Sequence, residues 1–228
     1  MAVTRGTPKA GNSGGLGTGF TIASVNCSGT DRYLMVTVAV SGTSAPVTSV
    51  TFNGSESLTF ASGRNGGTDS REEVWVLTAP SAVTANVVVV TPSTLSCGIA
   101  LPYAGVDQTT PREGPIASGG TSTAPALAGT LTWGGGADEL AMSVVWKGTG
   151  ITFTPDAGVT SVASTTSGSG ASHVGLHLLA DYDTETGKVA GALGSSTGWG
   201  VIGANLNAAA GGSSIAAISA GYHNQGLR

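Results

Sequence analysis

The sequence predicts an all-β fold, an antiparallel β-sandwich, and three observations carry that reading. Gly, Ser and Thr together fill 93 of 228 positions, while Lys occurs only at 9, 147 and 188. Hydrophobic residues make up 40% of the chain but are weighted toward Val and Ala, with 12 aromatics in all. Apolar and small polar residues alternate in short runs broken by Gly, Pro, Asn or Ser, the period of half-buried strands separated by turns. The residues that favour helices, Glu, Lys, Leu and Arg, are too scarce for a helical bundle or coiled coil.

The same composition narrows the function classes. Disordered chains combine low hydrophobicity with high net charge, and a net charge of −4 with 40% hydrophobic residues gives neither. No apolar run approaches the roughly 18 residues of a membrane span, and Gly does not recur with the collagen period. Nine scattered Lys and Arg in a chain of pI 5.2 argue against nucleic acid as a partner. The opening Met1-Ala2-Val3-Thr4-Arg5-Gly6-Thr7 lacks the charged region and apolar core of a secretory signal, so folding in a cytoplasm is expected.

Residues 1–17 hold Gly11-Asn12-Ser13-Gly14-Gly15-Leu16-Gly17 and little to bury, so they read as a flexible arm. From Phe20 the pattern changes. Phe20–Val25 alternates as a half-buried strand, and after the turn at Ser28–Asp31 the run Tyr33–Val40 is a more fully buried one. Further strands are expected at Val47–Phe52, Leu58–Phe60, Glu72–Leu77, Asn86–Thr91 and Leu95–Tyr103. A proline-bearing segment, Asp107 to Pro115, interrupts the series, which then restarts. Residues 30–38 are echoed by 137–145, each entering a Met-containing apolar strand after an Asp. Val50-Thr51-Phe52 is echoed by Ile151-Thr152-Phe153, Glu73–Leu77 by His173–Leu179, and Cys97–Ala100 by Trp199–Ile202. The offsets stay near one hundred residues in constant order, which is compatible with two duplicated halves, 18–111 and 123–208, closing one sandwich over 18–208. Residues 209–228 form a second tail of small residues. Thr and Ser on outer faces give strand propensity without charge. Edge strands usually carry Lys or Pro against unwanted pairing; here that protection is thin, which points to surfaces covered by neighbours.

Few residues offer chemistry. His173 and His177 on one strand would lie about 13 Å apart, too far to share an ion. Asp181-Tyr182-Asp183-Thr184-Glu185 fails the calcium-loop pattern, whose sixth and twelfth positions would be Thr186 and Ala192. Gly15-Leu16-Gly17-Thr18-Gly19 lacks the preceding strand and following helix of a dinucleotide site. With few His and no paired Glu, a general acid and base are not in evidence, and the expectation is a non-enzymatic protein without cofactor or metal. Cys27 and Cys97 fit either one disulfide or two buried thiols, the thiols being the simpler reading. Trp75 and Trp146 lie in apolar strands and read as core, whereas Trp133 and Trp199 flank glycine-rich turns and are the candidates for a glycan-stacking face.

The ordered set Tyr33–Val40, Val47–Gly54, Val74–Pro80, Asn86–Val90 and Tyr103–Pro111, ending in Gly-Val-Asp-Gln-Thr-Thr-Pro, resembles the jelly-roll modules of tailed-phage virion proteins and some bacterial surface proteins. The resemblance covers residues 18–111 best and is looser through 210. It implies a jelly-roll sandwich with a structural or adhesive role and no catalytic residues to carry over. The closest type is a capsid decoration or head-fibre protein, located in the virion and partnered by the major capsid protein and by its own copies as a homo-oligomer. Partner contacts are then expected from the arms, at Thr4, Arg5 and Leu16 and at Ile215, Ile218 and Tyr222. A carbohydrate-binding or adhesin module using Trp133 or Trp199 is the alternative, and a self-polymerising tail or filament subunit the third reading.

Overall fold

The computed structural model describes residues 1–43, 46–67, 70–127, 139–148, 151–155, 160–168, 174–181 and 191–210. In these segments the chain is all β, with no helix. The strands, in order, are β1 (Thr4–Arg5), β2 (Lys9–Asn12), β3 (Gly17–Asn26), β4 (Tyr33–Ser41), β5 (Ser49–Phe52), β6 (Glu56–Ser57), β7 (Thr59–Gly66), β8 (Ser70–Thr78), β9 (Thr84–Thr94) and β10 (Ser96–Ala104). After the Asp107 turn come β11 (Arg112–Ser122), β12 (Glu139–Lys147), β13 (Phe153–Pro155), β14 (Thr160–Ser167), β15 (Val174–Asp181), β16 (Gly191–Leu193) and β17 (Thr197–Leu206).

They form four antiparallel sheets rather than the two of a single sandwich. The first inner sheet runs β1-β10-β4-β8-β7, with β2 continuing β1 along the same edge of β10; the first outer sheet runs β3-β9-β5-β6. The second inner sheet runs β11-β17-β12-β15-β14, and the antiparallel pair β13-β16 forms the second outer sheet. Three apolar clusters lie between them. Phe20, Ile22, Val36, Val38, Phe52 and Val87 join the first outer and inner sheets. Tyr33, Met35, Val76, Ile99, Val145 and Ile202 join the two inner sheets. Val144, Trp146, Leu193, Trp199 and Val201 fill the space under the β13-β16 pair.

This layering explains why β4 and β10 read as continuous apolar runs. Both faces of the first inner sheet are covered, so every residue from Tyr33 to Val40 and from Ser96 to Tyr103 is buried. In β9 the pattern is different: Val87 and Val89 are buried, while Val88 and Val90 face solvent at 38% exposure each. Four consecutive valines thus divide by the alternation of a sheet with one wet face. Between the inner sheets lies a void of about 10 Å³, at the lower limit of what one water needs.

The N-terminal segment expected as a flexible arm is an edge strand. Cys97 to Ala100 pair with Asn12 to Lys9, and Tyr103 and Ala104 with Arg5 and Thr4. The backbone donors and acceptors along β10 supply the reason, because an unpaired buried edge is costly. The Gly-Val-Asp-Gln-Thr-Thr-Pro stretch is the turn between the halves. Asp107 Oδ1 accepts the backbone N–H groups of Thr109 and Thr110 at 2.7 and 2.8 Å, and those bonds hold its carboxyl below the usual range. Gln108 donates to the Val106 and Arg32 carbonyls.

The edges are not guarded as the charge count suggested. Register shifts interrupt β3, β7, β11 and β14, four of the outermost strands of the three larger sheets, whereas the edge strands β1, β2 and β6 and the interior pairs β4 with β8 and β10, and β12 with β15 and β17, run without a shift. Bulges twist an edge away from partners as charges would repel them.

At one side of the stack backbone meets backbone. A Cβ on Gly198 would sit 2.7 Å from the Gly66 carbonyl oxygen and 3.0 Å from Gly67 Cα. Gly198→Ala is therefore expected to destabilise the protein by about 1–3 kcal/mol in urea unfolding. Gly15→Ala, where nothing lies within 4 Å, is expected to change stability by less than about 0.5 kcal/mol.

Candidate functional site

The β7–β8 hairpin carries the most organised polar constellation among the described residues. Alternate residues of β8 face opposite ways. Val74 and Val76 point into the inner-sheet core, and Arg71, Glu73, Trp75 and Leu77 point to the other face. The first outer sheet covers only part of that face, so Trp75 and Arg71 stay half-buried. Glu73, only 2% exposed at its side chain, uses both oxygens: Oε1 accepts Arg71 Nε at 2.6 Å and Oε2 accepts the Trp75 indole N–H at 3.0 Å. Arg71 Nη1 also donates to Asn65 Oδ1 at 3.2 Å. Phe60, 45% exposed, meets the Trp75 ring edge-to-face at 5.7 Å. One buried carboxylate therefore fixes a guanidinium and an indole side by side, and the desolvation of that carboxylate is offset by two donors rather than one.

The missing side chain at Gly63 lets Arg71 and Phe60 close over the backbone. A Cβ there would lie 2.5 Å from Arg71 Nη2 and 3.2 Å from Phe60 Cζ. Beside it, a groove of about 450 Å³ runs between the edges of the inner sheets, lined by Arg64, Asn65, Arg71, Gly119, Gly120 and Thr121. The aliphatic stem of Arg64 crosses Gly200, and its guanidinium reaches Gly119. No carboxylate among the described residues lies within ion-pair distance of Arg64.

On the opposite face of β8, Glu72 is fully buried between the inner sheets. Neither carboxylate oxygen reaches a donor in hydrogen-bond geometry. Burial pushes its pKa from 4.5 up to about 8, and the Ser143 hydroxyl across the interface offsets only part of that rise. The carboxyl is thus mostly neutral at pH 7, the form a low-dielectric site tolerates.

The sequence-predicted residues fall elsewhere. Trp199 is 8% exposed and donates its indole N–H to Ser122 Oγ at 2.9 Å, so it is a core residue and presents no stacking face. The small residues around it bring the second outer sheet and β11 close enough to cover it. Trp146 stacks on Phe153 in the same cluster, as its apolar strand predicts. Thr4 and Arg5 lie exposed on the outer edge of β1, and Leu16 is 78% exposed at the β2–β3 turn. Trp133, Ile215, Ile218, Tyr222, His173 and residues 182–185 of the acidic cluster lie outside the described residues. Cys27 and Cys97 are not bonded to each other. They belong to different cores on opposite faces of the first inner sheet, which separates them. Burial raises both thiol pKa values, that of Cys27 to about 11.

The ledge was missed by treating Trp75 as core alone. Its signal was present: Arg71, Glu73 and Trp75 recur every second residue and must share a face. Phe60 and Asn65 join them only through the β7–β8 register, which no local pattern gives. Among the described residues no three His, Cys, Asp or Glu gather as metal ligands. Comparison with protein-family models, curated proteins and solved structures finds no match to this chain.

Two outcomes test this electrostatic picture. Glu72 holds a proton in the fold that the unfolded chain releases, so its contribution is complete below about pH 4.5 and is lost as pH rises to about 8. Wild-type stability should fall across that window by up to about 1.4 kcal/mol per pH unit, and Glu72→Gln should remove this slope; equal slopes would contradict it. With a thiol-reactive dye at pH 8, the native protein should label negligibly within an hour and the denatured protein at both cysteines.

Proposed function

We propose that the chain is a non-enzymatic structural protein of a tailed-phage virion, decorating and stabilising the capsid exterior, and that it consists of two jelly-roll halves descended from one ancestor. The observation that carries this reading is strand order. β2-β10-β4-β8 against β3-β9-β5-β6 is the order of two interleaved Greek keys, the arrangement of jelly rolls in viral capsid and lectin domains. The second inner sheet repeats it: β11, β17, β12, β15 and β14 take the places of β2, β10, β4, β8 and β7, and β13-β16 take those of β5-β9.

The stacking supports a common origin. β14 packs on β2 and β10, while β7 packs on β11 and β17; β15 packs on β10 and β4, while β8 packs on β17 and β12. Exchanging equivalent strands turns each contact into another of the set, as in an isologous dimer interface. The sequence echoes fall on equivalent strands, and Phe52 and Phe153 each face their own outer core. On β10 and β17 the echo joins opposite faces, since Cys97 lies in the inner core and Trp199 in the second outer one. A one-residue shift in that alignment restores the faces.

Attachment works by burying neutral area. The first outer sheet offers Thr21, Val88 and Thr51 in one register row and Gly19, Val90 and Ser49 in the next, with no charge among them. The bulged edges and the paired N-terminal segment shift the contact from edges and arms to this face and to the tail beyond residue 210. The partner is the major capsid protein, with further copies of the chain completing a small homo-oligomer. Antibody-gold labelling of particles that carry this gene should decorate the head surface. Label on tails alone, or none on particles, would overturn the reading, and filaments of purified protein would favour the self-polymerising alternative.

A further inference from the structure

We propose that the ledge Phe60–Trp75–Arg71–Asn65, with Arg64 beside it, binds an acidic saccharide, a chain containing hexuronate or a similar carboxylated sugar. The inference does not depend on the virion reading, because it uses only the chemistry of this hairpin.

The case begins with Glu73. A buried carboxylate costs desolvation, and its two oxygens are spent on holding Arg71 and Trp75 in place at 2.6 and 3.0 Å. Both side chains are partly buried, Arg71 with 23% of its side chain exposed and Trp75 with one side against the outer core. What the arrangement achieves is order at a surface: a guanidinium and an aromatic pair immobilised before any ligand arrives, which lowers the entropic cost of binding.

The exposed groups then select the ligand. Phe60 offers an open apolar ring to the C–H face of a pyranose, and Trp75 backs it edge-on. Arg71 spends Nε on Glu73 and Nη1 on Asn65, leaving Nη2 over the Gly63 backbone at the wall of the groove. Arg64 adds a second guanidinium to the same groove, and among the described residues Glu73 is the only carboxylate contacting either. The groove therefore carries a positive excess on a chain of net charge −4. A guanidinium fork matches a carboxylate in geometry as well as charge. The groove itself, about 450 Å³, is wide enough for a sugar ring, and Asn65 and Thr121 on its walls supply hydrogen bonds to hydroxyls. Trp199, buried in another layer, takes no part.

The test is calorimetric titration of the full chain with an oligogalacturonate hexamer and with neutral maltohexaose. Binding of the acidic oligomer, at least tenfold tighter than the neutral one, is expected. Phe60→Ala should weaken both sugars at least tenfold, and Arg64→Gln should weaken only the acidic one, with melting temperatures of both variants close to wild type. A Phe60→Tyr variant, which keeps the ring, should retain binding. Equal affinity for the two sugars, no binding of either at millimolar concentration, or binding unaffected by both Phe60→Ala and Arg64→Gln would overturn the proposal.

Discussion

Everything in this chain is arranged around two sheets that press their inner faces together and are each covered again on the outside. A strand in such a layer has no wet face, so its side chains must be apolar or hydrogen-bonded, and its backbone must pair on both sides. β4 and β10 meet the first requirement with runs such as Leu34-Met35-Val36 and Ile99-Ala100-Leu101. They meet the second by sitting in the interior of their sheet, and the chain's own N-terminal segment closes the far side of β10. The few polar groups caught inside are informative because each must be neutral or paired. Thr37 bonds a backbone carbonyl, Tyr33 accepts from Arg112 at 3.1 Å, and Glu72 keeps its proton.

Low charge is a consequence of this layering. In an ordinary two-layer sandwich each strand gives half its positions to solvent and fills them with charges. Here the interior strands β4, β10 and β17 give up almost none, and the exposed rows of the first outer sheet use Thr, Ser and Val. Protection from edge pairing has moved from side-chain charge into backbone geometry, as bulges on four of the outermost strands. The scarcity of Lys is thus no measure of how open the edges are.

How much of this was legible depended on range. The burial of Tyr33–Val40, the alternation of Phe20–Val25 and the turn at Asp107 follow from local pattern, and each stands where the sequence places it. The four-layer stack was not legible, because burial on a second face looks the same whether the cover is a neighbouring sheet or another molecule. The N-terminal segment misled for a related reason. Gly11 and Asn12 bury little themselves, yet their backbone groups complete β10. Trp199 misled because flanking glycines say only that neighbours can come close, and around it they admit covering strands. Trp75 packs against the outer core as its apolar strand predicts, and only its hydrogen-bonded edge was not legible.

The junction between the halves has a further consequence. Val106 bridges to Ala208, the Ala209 N–H donates to the Gly105 carbonyl, and the Met1 amino group donates to the Ala209 carbonyl at 2.7 Å. The start of the first half, the crossing between halves and the end of the second therefore meet at one pole. Whatever polypeptide precedes residue 1 or follows residue 210 leaves from that same spot, so a tether there would carry the whole stack like a flag on a single mast. A pull on such a tether reaches the Val106–Ala208 bridge before it reaches either core.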